Sequence, residues 1–214
     1  MKYTTFQTLT VRQYQQLYSI NTSKDEPEDK LTQSLCVLTG LTERGVGEML
    51  LPEFNQVSSE LAKIFSKDIN GRPKTFISVN GIRYGINYLP ASLSSGQYVS
   101  IETWMAEGII DNLHKIMATI VYEVKGWGVF KKRLKYNSDN HPQVAEALLE
   151  CKFIDVHSAC VFFLKLWKDS ISSLVPYLEK ELKAKGMKSK ELRTILERGL
   201  DGYLTPKKRQ TLRT

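Results

Sequence analysis

The chain has 214 residues, 42% of them hydrophobic and 25% charged, which is the composition of a globular protein with one domain or two small ones. No apolar run approaches the roughly 18–20 residues that a membrane-spanning helix needs. The first residues lack the apolar stretch of a signal peptide. We therefore expect a protein that is made and kept in the cytoplasm, without a membrane partner.

The net charge is concentrated at the C-terminal end. Residues 180–214 contain eleven Lys or Arg and four Asp or Glu, a net charge of +7, whereas the preceding 179 residues carry nineteen of each sign. A neutral body with a cationic end is typical of a protein that docks on an acidic surface, either nucleic acid or another protein.

The first 67 residues have the periodicity of short helices joined by tight connections. Thr10 can cap a first helix, and Gly40 can end a second one in a left-handed conformation. Thr42 can cap a short third helix, and Pro52 fits the first turn of a longer fourth one. We expect this part to form an N-terminal helical subdomain.

One segment has a clear β pattern. Residues 75–79 and 82–88 are rich in β-branched and aromatic side chains and flank Asn80-Gly81. This dipeptide is favoured in two-residue hairpin turns because both positions need positive φ. An isolated hairpin is only marginally stable, so we expect this one to pack on the helices or to pair with a strand of another chain.

Helical periodicity returns at Ser92 and continues through a well-buried helix at 109–121, while 124–140 indicates an irregular loop. A helix is expected after Pro142, and a long one from about 154 to 185. The sequence therefore predicts a mainly α (α+β) fold, a helical domain with one β-hairpin at about 75–88 and a long C-terminal helix. The predicted parts are an N-terminal helical subdomain at 1–67, a hairpin plus helical core at 68–179, and a basic C-terminal helix and tail at 180–214.

Motifs for catalysis are absent from the sequence. It lacks the nucleophile elbow, the phosphate-binding loop and the dinucleotide-binding glycine pattern. Cys36, Cys151 and Cys160 have no metal-site spacing and fit buried free thiols, and His114 fits a core histidine whose ring is hydrogen-bonded. We expect no enzymatic activity, no cofactor and no bound metal.

Four aromatic residues with Arg83 beside them allow two interpretations. Tyr84, Tyr88, Tyr98 and Trp104 can form a stacking platform for single-stranded nucleic acid, or they can pack the hairpin against a helix. Core packing is the favoured interpretation, because a hairpin on a helix needs the same rings.

Candidate partner-binding residues fall into an apolar set and two basic clusters. The helix at 161–167 is apolar on almost every side, so we expect it to contact a partner through Phe163 and Trp167, with Tyr203 adding apolar contact in the tail. The basic clusters fit phosphates or acidic surfaces. They are Lys131, Lys132, Arg133 and Lys135 in the loop, and Lys207, Lys208, Arg209 and Arg213 in the tail. For the loop a solubilising surface is an equally good interpretation, whereas the tail favours docking.

Several short blocks carry a resemblance to known proteins. They are residues 80–84 (NGIRY), 93–102 (LSSGQYVSIE), 112–118 (NLHKIMA), 136–140 (YNSDN) and 161–164 (VFFL). These blocks resemble a family of tailed-bacteriophage proteins that includes those of crAss-like and other Bacteroidetes phages. Residues 35–43 (LCVLTGLTE) and 51–54 (LPEF) look like the leader of phage tail-assembly chaperones. The resemblance spans about 30–168 and excludes the basic extension after about residue 180.

The resemblance implies a part in virion morphogenesis and supplies no catalytic residues. We expect a non-enzymatic structural subunit of a head–tail connector or ring, at the neck or tail, located in the virion and assembled in the host cytoplasm. Its expected partners are other phage structural proteins (portal, tail or neck subunits) and further copies of the chain in a homo-oligomeric ring, with a DNA contact left open. The alternatives are a tail-assembly chaperone and, from a different class, a nucleic-acid-binding accessory protein.

Overall fold

A computed structural model describes residues 3–66, 69, 71–125, 132–133 and 137–184 of the chain, with side chains as far as residue 170 apart from those of 132 and 133. The described ranges contain eight α-helices and a small antiparallel sheet, which confirms the predicted mainly α (α+β) fold. The helices are α1 (Val11–Thr22), α2 (Pro27–Thr39), α3 (Glu43–Gly47), α4 (Leu51–Ser66), α5 (Ser95–Glu107), α6 (Leu113–Ile120), α7 (His141–Leu149) and α8 (Phe153–Ala184). The strands are β1 (Phe76–Val79), β2 (Ile82–Ile86), β3 (Val121–Lys125) and the two-residue β4 (Lys132–Arg133).

The ends of the first helices follow from local sequence signals, as predicted. The Thr10 hydroxyl accepts a hydrogen bond from the Gln13 N–H, and the Gln13 side chain accepts one from the Thr10 N–H, which makes a capping box at α1. Gly40 ends α2 in the left-handed region with φ 71°. Thr42 caps α3, and Pro52 lies in the first turn of α4.

The predicted hairpin is confirmed. β1 and β2 are antiparallel with Val79 opposite Ile82, and the turn residues Asn80 and Gly81 have φ values of 52° and 75°. Ile77 and Val79 point into the core from β1, as the alternation of buried and exposed residues along the strand requires.

The segment after α6 corrects the sequence interpretation. The predicted helix at 109–121 is shorter in the structure, because α6 ends at Ile120 and Val121 begins β3. β3 pairs with β2, Gly85 lying opposite Tyr122, and its far edge pairs with β4 within the predicted loop. The hairpin is thus stabilised by a third strand of its own chain. The order across the sheet is β1-β2-β3-β4, and β1 is an edge strand.

One hydrophobic core joins the helical N-terminal part to the rest of the described chain. Its members include Leu17 and Leu35 from before residue 67 and Ile116 and Phe163 from after it, so the parts predicted as 1–67 and 68–179 share a core. The Tyr14 and Phe153 rings stack with centroids 3.6 Å apart where α1 meets α8. None of the helices in the described ranges is long and apolar enough to cross a bilayer.

The start of α8 is fixed against the start of α1 by the backbone. The Phe153 N–H donates to the Leu9 carbonyl at 2.7 Å, and the Val11 N–H donates to the Cys151 carbonyl at 3.0 Å. On the solvent side Arg12 forms ion pairs with Glu146 and Glu150. Exposed ion pairs contribute little, so the buried backbone and ring contacts fix this junction.

Candidate interaction surfaces

Most of the predicted basic contacts, and the apolar contact Tyr203, lie outside the described residues. Lys132 and Arg133 form β4, and the structure describes their backbone alone. The others fall in ranges that the structure does not describe; these are Lys131, Lys135, Tyr203, Lys207, Lys208, Arg209 and Arg213. Their role as partner contacts stays a prediction.

The structure corrects the choice of Phe163 and Trp167 as partner contacts. Their exposed fractions are 0% and 4%, and both belong to the core of the chain itself. The Trp167 ring stacks on Tyr98 of α5, with centroids 4.4 Å apart. α6, residues 90–92 and α1 of the same chain supply most of the neighbours of this apolar helix, which the sequence does not reveal.

Two other side chains on the same helix are exposed. Val161 is 49% exposed and Phe162 is 39% exposed, and Leu89 nearby in the fold is 61% exposed. The Phe162 ring meets the Tyr88 ring edge to face, with centroids 5.1 Å apart, so the segment that carries Leu89 lies against α8. We call Leu89, Val161 and Phe162 the α8 patch.

The α8 patch is fixed to the core and has a charged border. Phe163, next to Phe162, is fully buried, so the orientation of this helix turn is set by packing. The next turns present the exposed Lys165, Lys168 and Asp169. An apolar centre with a polar rim is typical of protein–protein interfaces.

The aromatic residues near the hairpin pack within the core or against it, which agrees with the favoured interpretation. Tyr84 is buried, and Trp104 stacks on the His141 ring with centroids 4.8 Å apart. Tyr98 stacks on Trp167 and Tyr88 packs on Phe162. Arg83 lies over a different ring, that of Phe76, at 4.1 Å from its centroid. These rings contact other parts of the fold and do not form one open platform.

His114 is hydrogen-bonded, as predicted, but its side chain is only partly buried. The Gln15 amide nitrogen lies 2.8 Å from the Ile110 carbonyl, 3.0 Å from the Asp111 carbonyl and 3.1 Å from the His114 Nδ1 atom. Because the two carbonyls identify this atom as the amide nitrogen, Nδ1 of His114 must act as an acceptor. Burial, and next the charge of Lys115, lowers the pKa of His114 to about 4.

The other two histidines also have lowered pKa values. His141 Nε2 lies 3.0 Å from the Lys115 carbonyl, and burial lowers its pKa. Burial lowers the pKa of His157 as well. Protonating any of them would place a charge on a partly buried ring, which desolvation disfavours.

We expect the free energy of unfolding to fall as the pH is lowered from about 6.5 towards about 4. In this window the unfolded histidines bind protons, while folded His114 stays neutral until its pKa of about 4. Urea unfolding at about pH 7.5 and about pH 5 measures the effect. His114→Gln removes the titrating group and keeps an acceptor. The stability that this variant loses between the two pH values should therefore be smaller than the loss in the wild-type chain. Equal losses in both proteins would contradict this assignment.

The cysteines are free thiols of unequal burial. Cys151 and Cys160 are buried and Cys36 is partly exposed. Burial raises the pKa of Cys151 to about 11 and that of Cys160 to about 12, and it raises the pKa of Cys36 too. Within the described residues no group of three or more His, Cys, Asp or Glu side chains could hold a metal ion.

Comparison with known proteins gives no match. No protein-family model, no curated protein and no solved structure matches the chain. The α8 patch and the concentrated C-terminal charge are therefore the features from which a function can be argued.

Proposed function

We propose that the chain is a non-enzymatic structural subunit of a tailed-bacteriophage particle, in a head–tail connector or ring at the neck or tail. The observation that carries the proposal is the α8 patch. Val161 and Phe162 are exposed on a helix whose next residue, Phe163, is fully buried. They fall inside residues 161–164, one of the blocks that resemble tailed-phage proteins.

The patch suits permanent docking because it is already formed in the single chain. Its helix is packed against α6 and α1, and the Leu89 segment lies against it. A partner therefore meets an apolar surface that needs no prior ordering, which lowers the entropic cost of association. The edge strand β1 offers a second place where a neighbouring strand can add to the sheet.

We expect Phe162→Asp to reduce incorporation of the chain into phage particles by about tenfold or more. A carboxylate placed in a docked apolar surface is desolvated without a partner, at a cost of several kcal/mol. Phe65→Asp is the matched control, because Phe65 also lies on a helix and is 40% exposed against 39% for Phe162. Particles from cells that express each variant are purified and the chain is quantified, after circular dichroism shows that both variants are folded. Normal incorporation of Phe162→Asp would overturn the proposal.

The C-terminal charge favours a second candidate function, that of a nucleic-acid-binding accessory protein. A net charge of +7 within 35 residues can neutralise several phosphates. This candidate predicts DNA binding whose affinity falls steeply with salt. It further predicts a smaller salt dependence when Lys207, Lys208 and Arg209 are replaced by Gln. The slope of log affinity against log salt concentration should become shallower by about 0.9 for each phosphate that the variant no longer neutralises. Binding that is weak at physiological salt and unchanged in the variant would exclude it.

A further inference from the structure

A groove crosses the N-terminal helices on a part of the surface separate from the α8 patch. It lies between α1 and α2, which are joined by a short connection, and it extends to the start of α3. Its volume is about 530 Å³, and it is open to solvent. The apolar part of its lining consists of Ile20, Val37, Leu41 and the partly exposed Cys36.

One carboxylate lines this groove, and the helix geometry of α2 places a second one a turn beyond the lining. Glu43 is the lining carboxylate. Asp29 precedes the lining residue Gln33 by four positions on α2, so it lies one turn further along the same helix face. From Lys24 to Glu48 the chain has six acidic and three basic residues, so the region is negatively charged.

We propose that this groove binds the basic C-terminal segment, residues 180–214, of a second copy of the chain. The segment has the complementary charge of +7. Its sequence places Leu192, Ile195 and Leu196 at helical spacing between basic residues, which is the pattern of an amphipathic helix that enters an apolar groove. The inference rests on the proposed assembly function, because it names the partner as an identical subunit.

The course of α8 carries the C-terminal segment away from the start of α1. α8 begins beside the start of α1, where the Phe153 N–H donates to the Leu9 carbonyl. Trp167 is packed on Tyr98, and the helix continues from there to Ala184, about 25 Å further. The part of the segment beyond Ala184 therefore leaves α8 about 45 Å along the helix from the end that lies beside α1.

A contact between a groove and a tail repeats from copy to copy. The two surfaces are different parts of the same chain, so the interface is heterologous and generates either a closed ring or a filament. Each exposed ion pair adds roughly 0–1 kcal/mol, so the apolar side chains and several pairs must act together.

Cys36 provides a direct probe of the groove in the unmodified full-length chain. Cys151 and Cys160 are buried, so alkylation of Cys36 can be followed separately by peptide mass spectrometry. We expect Cys36 to react about tenfold more slowly at concentrations where light scattering detects oligomers than in dilute monomer. If Cys36 reacts slowly at every concentration, the same chain fills the groove, and the proposal is overturned. If Cys36 reacts rapidly at every concentration, nothing fills the groove, and the proposal is overturned as well.

Charge reversal in two variants gives a second, independent test. Asp29→Lys with Glu43→Lys alters the groove, and Lys188→Glu, Lys190→Glu and Arg193→Glu together alter the tail. We expect each variant to be monomeric alone and an equimolar mixture to form a heterodimer, because one intact groove and one intact tail remain. Glu107→Lys with Asp139→Lys is the matched control, since both carboxylates are exposed and outside the groove; it should oligomerise normally.

The remaining outcomes separate this inference from the proposed function. Oligomers of the groove variant, or a mixture without heterodimer, would overturn the inference. So would a tail variant that keeps its oligomeric state and loses only DNA binding, which would identify nucleic acid as the partner. A wild-type chain that oligomerises through the groove but is missing from particles would contradict the proposed function alone.

Discussion

Phe163→Ala is expected to lower the free energy of unfolding by about 3–5 kcal/mol, the largest effect that we predict. The side chain is fully buried and its ring packs at 5.6 Å from that of Trp167, so truncation leaves a cavity in the core. A loss of this size is a large fraction of the stability of an ordinary domain. Chemical denaturation of the purified variant measures it.

The neighbouring phenylalanine is the control for this prediction. Phe162 is 39% exposed, so Phe162→Ala should cost less than about 1 kcal/mol and should act on particle incorporation instead. If Phe163→Ala left stability unchanged and impaired assembly, Phe163 would be a partner contact after all, and its place in the core would be contradicted.

Gly71→Ala is expected to destabilise the fold by about 1–3 kcal/mol, because it forces a side chain into a filled space. A Cβ atom on residue 71 would lie 1.9 Å from Ser158 Oγ, 2.9 Å from Ser158 Cβ and 3.1 Å from Ile154 Cγ1. Glycine at this position lets the chain that leads into β1 pass directly over α8. Urea denaturation of the variant gives the change in stability.

A double-mutant cycle tests the cause of this effect. Ser158→Gly removes both atoms nearest to the new Cβ, so the combined variant should lose less stability than the two single changes added together. Gly96→Ala is the matched control, because no atom lies within 4 Å of a Cβ there and the residue is already helical. It should be neutral or slightly stabilising. If the stability losses of Gly71→Ala and Ser158→Gly simply add, the contact between the new Cβ atom and Ser158 is relieved in another way.

Features that depend on a few neighbouring residues could be predicted from the sequence. The capping box at Thr10, the left-handed Gly40 and the turn at Asn80-Gly81 are each set by side chains within about four positions, and the structure contains all three. The long C-terminal helix also agrees with its apolar periodicity, beginning at Phe153.

Features that depend on distant residues could not be predicted in the same way. Val121 continues the apolar pattern of α6, but it pairs with the open edge of β2 and therefore begins β3. Its partner Ile86 lies 35 positions earlier in the chain. The signal that could have identified the strand is the run Val121-Tyr122-Glu123-Val124, which is rich in β-branched and aromatic residues.

The candidate sites show the same limit. Phe163, Trp167, Val161 and Phe162 are all apolar and adjacent on one helix, and sequence alone cannot say which of them the fold covers. The fold buries Phe163 and stacks Trp167 on Tyr98, and it leaves Val161 and Phe162 at the surface. The groove at α1 and α2 could not be predicted, because its lining comes from separate helices and has no sequence motif.

Quantitative mass spectrometry of gradient-purified phage particles decides whether the chain is a structural subunit. We expect the chain to be present in finished particles at a fixed ratio to the portal subunits, and we expect this ratio to survive washing in salt high enough to screen exposed ion pairs. A chain that occurs in assembly intermediates but is absent from finished particles would be a chaperone. That result would contradict a structural role in the virion.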